Sequence, residues 1–78
     1  MHYFTFQQAE KVRTSTLHLI GDELNFADTR YTLTKIEIRQ VNGYSTVWFH
    51  LGNLMDVAFA IEYNTFVTFN PQYKYFGD

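Results

Sequence analysis

Cysteine is absent from this chain of 78 residues, which excludes disulfides, thiolate metal sites and a cysteine nucleophile. Proline occurs once and glycine four times, too sparsely for a collagenous, low-complexity or linker-like segment. Charge is thin as well: charged residues make up 18% of the chain, six basic against eight acidic, for a formal net of −2. That balance attracts neither a phosphate backbone nor an anionic bilayer, and it is too mild to imitate a nucleic acid. No apolar run is long enough to span a membrane, since the most apolar stretch, 57–61, sits between Asp56 and Glu62. Residues 1–6 carry neither the basic start nor the apolar run of a signal peptide, so a cytoplasmic protein is expected.

What the chain does contain is rings. Eight Phe, six Tyr and one Trp stand in a composition that is 46% apolar. Each ring can remove roughly 150–250 Å² from water, and a domain this small needs that efficiency because it buries only about 60% of its unfolded surface. With no repeat, linker or charge block to divide it, residues 1–78 are expected to form a single β-rich domain.

The dominant pattern is a period of two, punctuated by turn residues. Val41-Asn42-Gly43-Tyr44 places Asn-Gly between apolar runs, and Asn-Gly accepts the positive φ angles of a type I′ turn. The register that follows pairs Val41 with Tyr44, Arg39 with Thr46, Ile38 with Val47, Glu37 with Trp48 and Ile36 with Phe49. One face then carries Ile36, Ile38, Val47 and Phe49. The other carries Lys35, Glu37, Arg39, Val41, Tyr44, Trp48 and His50. Near Leu33 to Ile36 the apolar parity changes, which predicts a β-bulge. A second hairpin is expected at Gly21-Asp22, pairing Leu19 with Leu24 and Leu17 with Phe26, with Asp28-Thr29-Arg30 connecting the two hairpins.

The rest is less regular. Residues 53–63 read equally as a strand, with Met55, Val57, Phe59 and Ile61 alternating, or as a helix capped by Asn53. Gly52-Asn53-Leu54 could also close a hairpin that sets Val57 opposite Phe49. Residues 66–70 read as a strand stopped by Pro71, residues 3–6 as a first strand, and residues 7–13 as a polar connection or short helical turn. Tyr73 and Tyr75 alternate with Lys74 and Phe76 as a last strand would. The expected fold is therefore mainly β: an antiparallel meander of five or six strands, barrel or sandwich, or α+β with one short helix near 53–63.

Little here supports catalysis. His2, His18 and His50 are widely separated without ligand spacing, so no metal and no cofactor is expected. Ser15 and Ser45 lie outside any nucleophile elbow, and the glycines stand alone, which leaves no phosphate-binding loop. Asp22 and Asp28 read as turn residues, and Glu37 between Lys35 and Arg39 reads as a solvated charged face. The expectation is a non-enzymatic interaction module, an accessory subunit or inhibitor of a larger protein. Its partner would be another protein, a second copy of itself included.

The residues assigned to that contact are Arg39, Tyr44, Trp48 and His50 on the hairpin face, with Tyr73 and Tyr75 in the C-terminal strand. Trp, Tyr and Arg on a strand face that would ordinarily be polar are the side chains most enriched at interface hot spots. Two outcomes are open for that face. In a closed barrel it is exposed, whereas residues 3–6 or 53–69 could cover it and place Trp48 in a core. The alternative function is single-stranded nucleic-acid binding, with bases stacked on the rings, against which Glu37 and the negative net charge both argue. A small enzyme is third.

Overall fold

A computed structural model describes residues 3–75. Helix α1 (Phe6–Thr16) leads through a 3-10 turn (Leu17–Leu19) into strands β1 (Glu23–Phe26), β2 (Thr29–Val41), β3 (Tyr44–Gly52) and β4 (Ala58–Glu62). Helix α2 (Tyr63–Phe69) and a second 3-10 turn (Pro71–Tyr73) follow. The strands form one antiparallel sheet in the order β1-β2-β3-β4, and a single apolar cluster joins one of its faces to both helices. The fold is thus α+β, with four strands and two helices among the described residues, in place of the expected five or six strands in a barrel or sandwich.

The β2–β3 hairpin is the one read from Asn42-Gly43. Asn42 and Gly43 have φ of 52° and 82°, and all five expected pairs, from Val41↔Tyr44 to Ile36↔Phe49, are present. The bulge is there too, as a register shift between Leu33 and Lys35. By contrast, β1 pairs forward with β2 and not back with 17–19. The turn that does this is Ala27-Asp28, both at positive φ (51° and 64°), a two-residue turn built without glycine. Gly21, at φ 97°, instead steers the chain onto β2: its N–H donates to the Leu33 carbonyl at 2.8 Å, and the Leu33 N–H donates to the Asp22 carbonyl at 3.1 Å. The expected pairs Leu19–Leu24 and Leu17–Phe26 do not form, because residues 17–19 are wound into the 3-10 turn that follows α1.

The expected strand at 3–6 is reduced to a single bridge, and where a polar connection or short helical turn was expected over 7–13 the chain forms the full helix α1. Its start is a reciprocal capping box: the Gln8 N–H donates to Thr5 Oγ1 at 3.1 Å, and the Thr5 N–H donates to Gln8 Oε1 at 3.0 Å. Its buried stripe is narrow, Ala9, Val12 and Thr16, and the Thr16 hydroxyl donates back to the Val12 carbonyl at 2.7 Å. Only Phe4 of residues 3–6 joins the sheet. It exchanges two backbone hydrogen bonds with Ser45 beyond the end of β4.

Of the two readings for residues 53–63, the strand holds for 58–62, where Phe59 and Ile61 turn to the core, and the helix is not formed. Residues 53–57 form a loop in which Asn53 Oδ1 accepts from the N–H groups of Met55 and Val57, so the capping chemistry of Asn53 closes a turn and starts no helix. Strand β4 then pairs Ile61 with Phe49 and Ala58 with Gly52, four residues away from the expected Val57–Phe49 pair. The expected strand at 66–70 is helical. Glu62 caps α2 by accepting the Asn64 N–H at 2.7 Å, and Tyr63, Phe66 and Asn70 are buried at the i, i+3, i+7 spacing of one helix face. Asn70 is held by donating from Nδ2 to the Asn25 carbonyl at 2.6 Å, and Pro71 opens a 3-10 turn. Tyr73 closes that turn and Tyr75 follows it outside any strand, while Phe76 lies outside the described residues.

Candidate functional site

Strand alternation sorts the sheet into two faces. Leu24, Leu33, Ile36, Val47, Phe49, Leu51 and Ile61 point into the core with the helices. The outer face carries Lys35, Glu37 and Arg39 on β2, Thr46, Trp48 and His50 on β3, and Ala60 and Glu62 on β4. Helix α2 packs on the opposite face, so the proposed cover from residues 53–69 is not formed. From the N-terminal segment only Tyr3 reaches the outer side, where its ring lies 5.3 Å from that of Tyr44.

At the centre of this face five side chains are tied together. The Arg39 guanidinium stacks over the Trp48 ring at 4.2 Å from its centroid. Glu37 Oε1 accepts from His50 Nε2 at 2.8 Å and pairs with Arg39 Nη2 at 3.2 Å. Trp48 Nε1 donates to Thr46 Oγ1 at 2.9 Å. Each of these groups sits on a strand whose opposite side chains are packed in the core, and each polar contact restricts the rotamer of its neighbour. The His50 hydrogen bond, and after it the Arg39 one, hold the Glu37 carboxyl below the usual range for a glutamate.

Hollows flank the centre on both sides. One, of about 430 Å³, is lined by Tyr3, Val41, Asn42, Tyr44, Thr46 and Trp48 and is walled mostly by apolar atoms. The other, of about 660 Å³, lies toward the β3–β4 loop, where Leu54 is fully exposed and Met55 nearly so. These loop residues were not among the sequence candidates, because Leu54 and Met55 read as part of a periodic element. The signal available was their position between the turn formers Asn53 and Asp56.

Of the six sequence candidates, the fold brings Arg39, Tyr44, Trp48 and His50 to one face, as their alternation requires. Tyr73 and Tyr75 lie elsewhere. The Tyr73 ring stacks on Phe66 with centroids 6.1 Å apart, its carbonyl accepts the Tyr63 hydroxyl, and the Tyr75 ring meets Phe4 edge-on. Burial raises the pKa of that Tyr63 hydroxyl above the ordinary phenol value.

Among the described residues no three His, Asp or Glu side chains gather as a metal site, and His2 lies outside them. Glu37 and Glu62 flank Trp48 from opposite strands, but both are engaged: Glu37 by His50 and Arg39, Glu62 by the backbone and side chain of Asn64. No described helix is long and apolar enough to cross a membrane. Comparisons with protein-family models, curated proteins and solved structures found no match to this chain.

Proposed function

We propose that this protein is a non-enzymatic binding module, an accessory subunit or inhibitor that docks on another protein through the outer sheet face around Trp48. The observation that carries this reading is the Arg39–Trp48 stack, fixed by Glu37 and His50 on a face that no described helix covers. A rigid aromatic ring beside an immobilised guanidinium loses little conformational freedom on binding, and these are the side chains over-represented among hot spots. The apolar hollow beside Tyr44 would take a side chain from the partner. The polar ring of Lys35, Glu37 and His50 would form part of the rim.

Affinity capture from lysate of the native host, with the wild type beside Trp48→Ala and Tyr44→Ser, tests this reading. A protein retained by the wild type and lost from both folded variants supports it, whereas identical retention by all three sets the face aside. Nucleic acid is the second reading, drawn from the same stacked ring and guanidinium. Single-stranded oligonucleotide binding in a polarisation assay, steeply weakened by salt and by Trp48→Ala, would replace the protein partner with that one.

A further inference from the structure

The edges of this sheet are unequal. Strand β1 pairs only with residues 29–32 of β2, and the Asp22 segment extends that contact to Leu33. From 34 to 41 no described strand lies on the outer side of β2. In the β2–β3 hairpin, Val41, Arg39, Glu37 and Lys35 direct their backbone groups to β3, so Ile36, Ile38 and Gln40 direct theirs away. Ser45, opposite Gln40, follows the same alternation on β3: both its backbone groups bond Phe4 on the far side. The stretch is long and contains neither proline nor bulge from 35 to 41, two of the devices that blunt an edge; a third, charge, is present as Lys35, Glu37 and Arg39, and its mixed sign is one that a second copy can match.

We infer that this edge is a homodimer interface, in which β2 of one copy pairs antiparallel with β2 of a second copy about a two-fold axis through Ile38. Three observations select that occupant and that register. The free stretch runs from 34 to the turn at 42, and its midpoint is Ile38. With Ile38 opposite its own copy, Glu37 falls opposite the second copy's Arg39 and Arg39 opposite its Glu37, so the charges are complementary twice over. A shift by two residues one way sets Glu37 against Glu37 and drives the β2–β3 turn into the space held by β1. A shift the other way sets Arg39 against Arg39. Ile36, Ile38 and Gln40 then supply about six inter-chain backbone hydrogen bonds, with each pair exchanging both of its groups. Two-fold closure consumes both copies of the edge, and the product is a closed dimer with no propagating fibre. The backbone pairing uses the edge of β2, but its charge pairs use Glu37 and Arg39, which also belong to the cluster around Trp48, so the amide-exchange readout on the wild type, which alters neither side chain, separates the dimer from whatever docks on that face.

Sedimentation equilibrium of the full chain with two charge variants tests it. At about 100 micromolar chain the wild type should sediment near twice its 9.3 kDa mass. Glu37→Arg alone sets two guanidinium groups opposite each other and Arg39→Glu alone sets two carboxylates, so each variant should be at least ~10-fold weaker in self-association. Mixing the two variants should restore a dimer, because the mixed pair is complementary. Amide exchange on the wild type gives a readout that needs no variant: Ile36, Ile38 and Gln40 should gain protection as concentration rises. A monomeric wild type, single variants that dimerise as well as the wild type, or a dimer in which those three amides exchange freely would each overturn the inference.

Discussion

Phe49 and Trp48 are neighbours in one strand, and their replacement by alanine should differ sharply in cost. Phe49 is fully buried, with its ring 4.8 Å from Phe66 and 5.5 Å from Tyr63 by centroids. Truncation removes on the order of 130 Å² of buried apolar surface, about 3 kcal/mol at ~25 cal/mol per Å². Two aromatic contacts at ~0.5–1.5 kcal/mol each are also lost, offset in part by relaxation around the cavity, so a cost of about 3–5 kcal/mol is expected. A domain whose total stability is of order 5–15 kcal/mol would be left close to unfolding. Phe49→Leu, which keeps most of the volume, should cost about 1–2 kcal/mol and keep the measurement in range. Trp48→Ala, on the outer face, loses the Arg39 stack and one hydrogen bond to Thr46, about 1–2 kcal/mol. Urea unfolding followed by circular dichroism at 222 nm compares the three. Destabilisation by Trp48→Ala equal to or above that of Phe49→Ala would refute the assignment of the two faces.

Thr5→Ala should cost about 1 kcal/mol by opening the capping box of α1, read as a lower midpoint in thermal unfolding. Replacing Asn42-Gly43 by Ala-Ala should destabilise the β2–β3 hairpin, because both positions sit at positive φ, and should broaden its amide resonances. Acidification should weaken the Glu37 cluster: the folded carboxyl has a lowered pKa, so its stabilisation is present above the ordinary glutamate range and is lost as pH falls through the folded value. Carbon-detected NMR titration should place Glu37 below the usual range, and Glu37→Gln should remove that contribution to the acid dependence of stability. Tyr63→Phe should release residues 71–75 from the core, seen as faster amide exchange there, at a cost of about 1 kcal/mol for the lost hydrogen bond to the Tyr73 carbonyl.

Legibility in the sequence followed the locality of the chemistry. The β2–β3 hairpin was readable because Asn42-Gly43 sets the turn, the turn sets the register, and the register sorts the apolar side chains without reference to anything distant. The four hairpin candidates of the site were legible for the same reason. Helix α1 was not, because its buried stripe is two small apolar residues and Thr16, too weak a period to outweigh the strand-like Tyr3-Phe4 ahead of it. Thr5 and Gln8 did carry the capping signal. Helix α2 ran against propensity, since Tyr63-Asn64-Thr65-Phe66-Val67-Thr68-Phe69 is rich in β-branched and aromatic residues. What holds it helical is the burial of Tyr63 and Phe66 against Phe49, a contact with a strand more than ten residues earlier.

By itself, then, the order of residues determined the central hairpin, its bulge and the membership of its two faces, because backbone turn preferences and the two-residue period act within a few positions of each other. Which face met water was decided only in three dimensions. Both helices settled on the side bearing Ile36, Val47 and Phe49, and that left Trp48, Arg39, Glu37 and His50 on the open side. The partner of β1 was decided in the same way. Gly21 is a good local turn former, but the Ala27-Asp28 turn and the bonds of Gly21 and Asp22 to Leu33 place Leu24 against Tyr31 over the core. Burial shared among several elements outweighed the preference of one dipeptide.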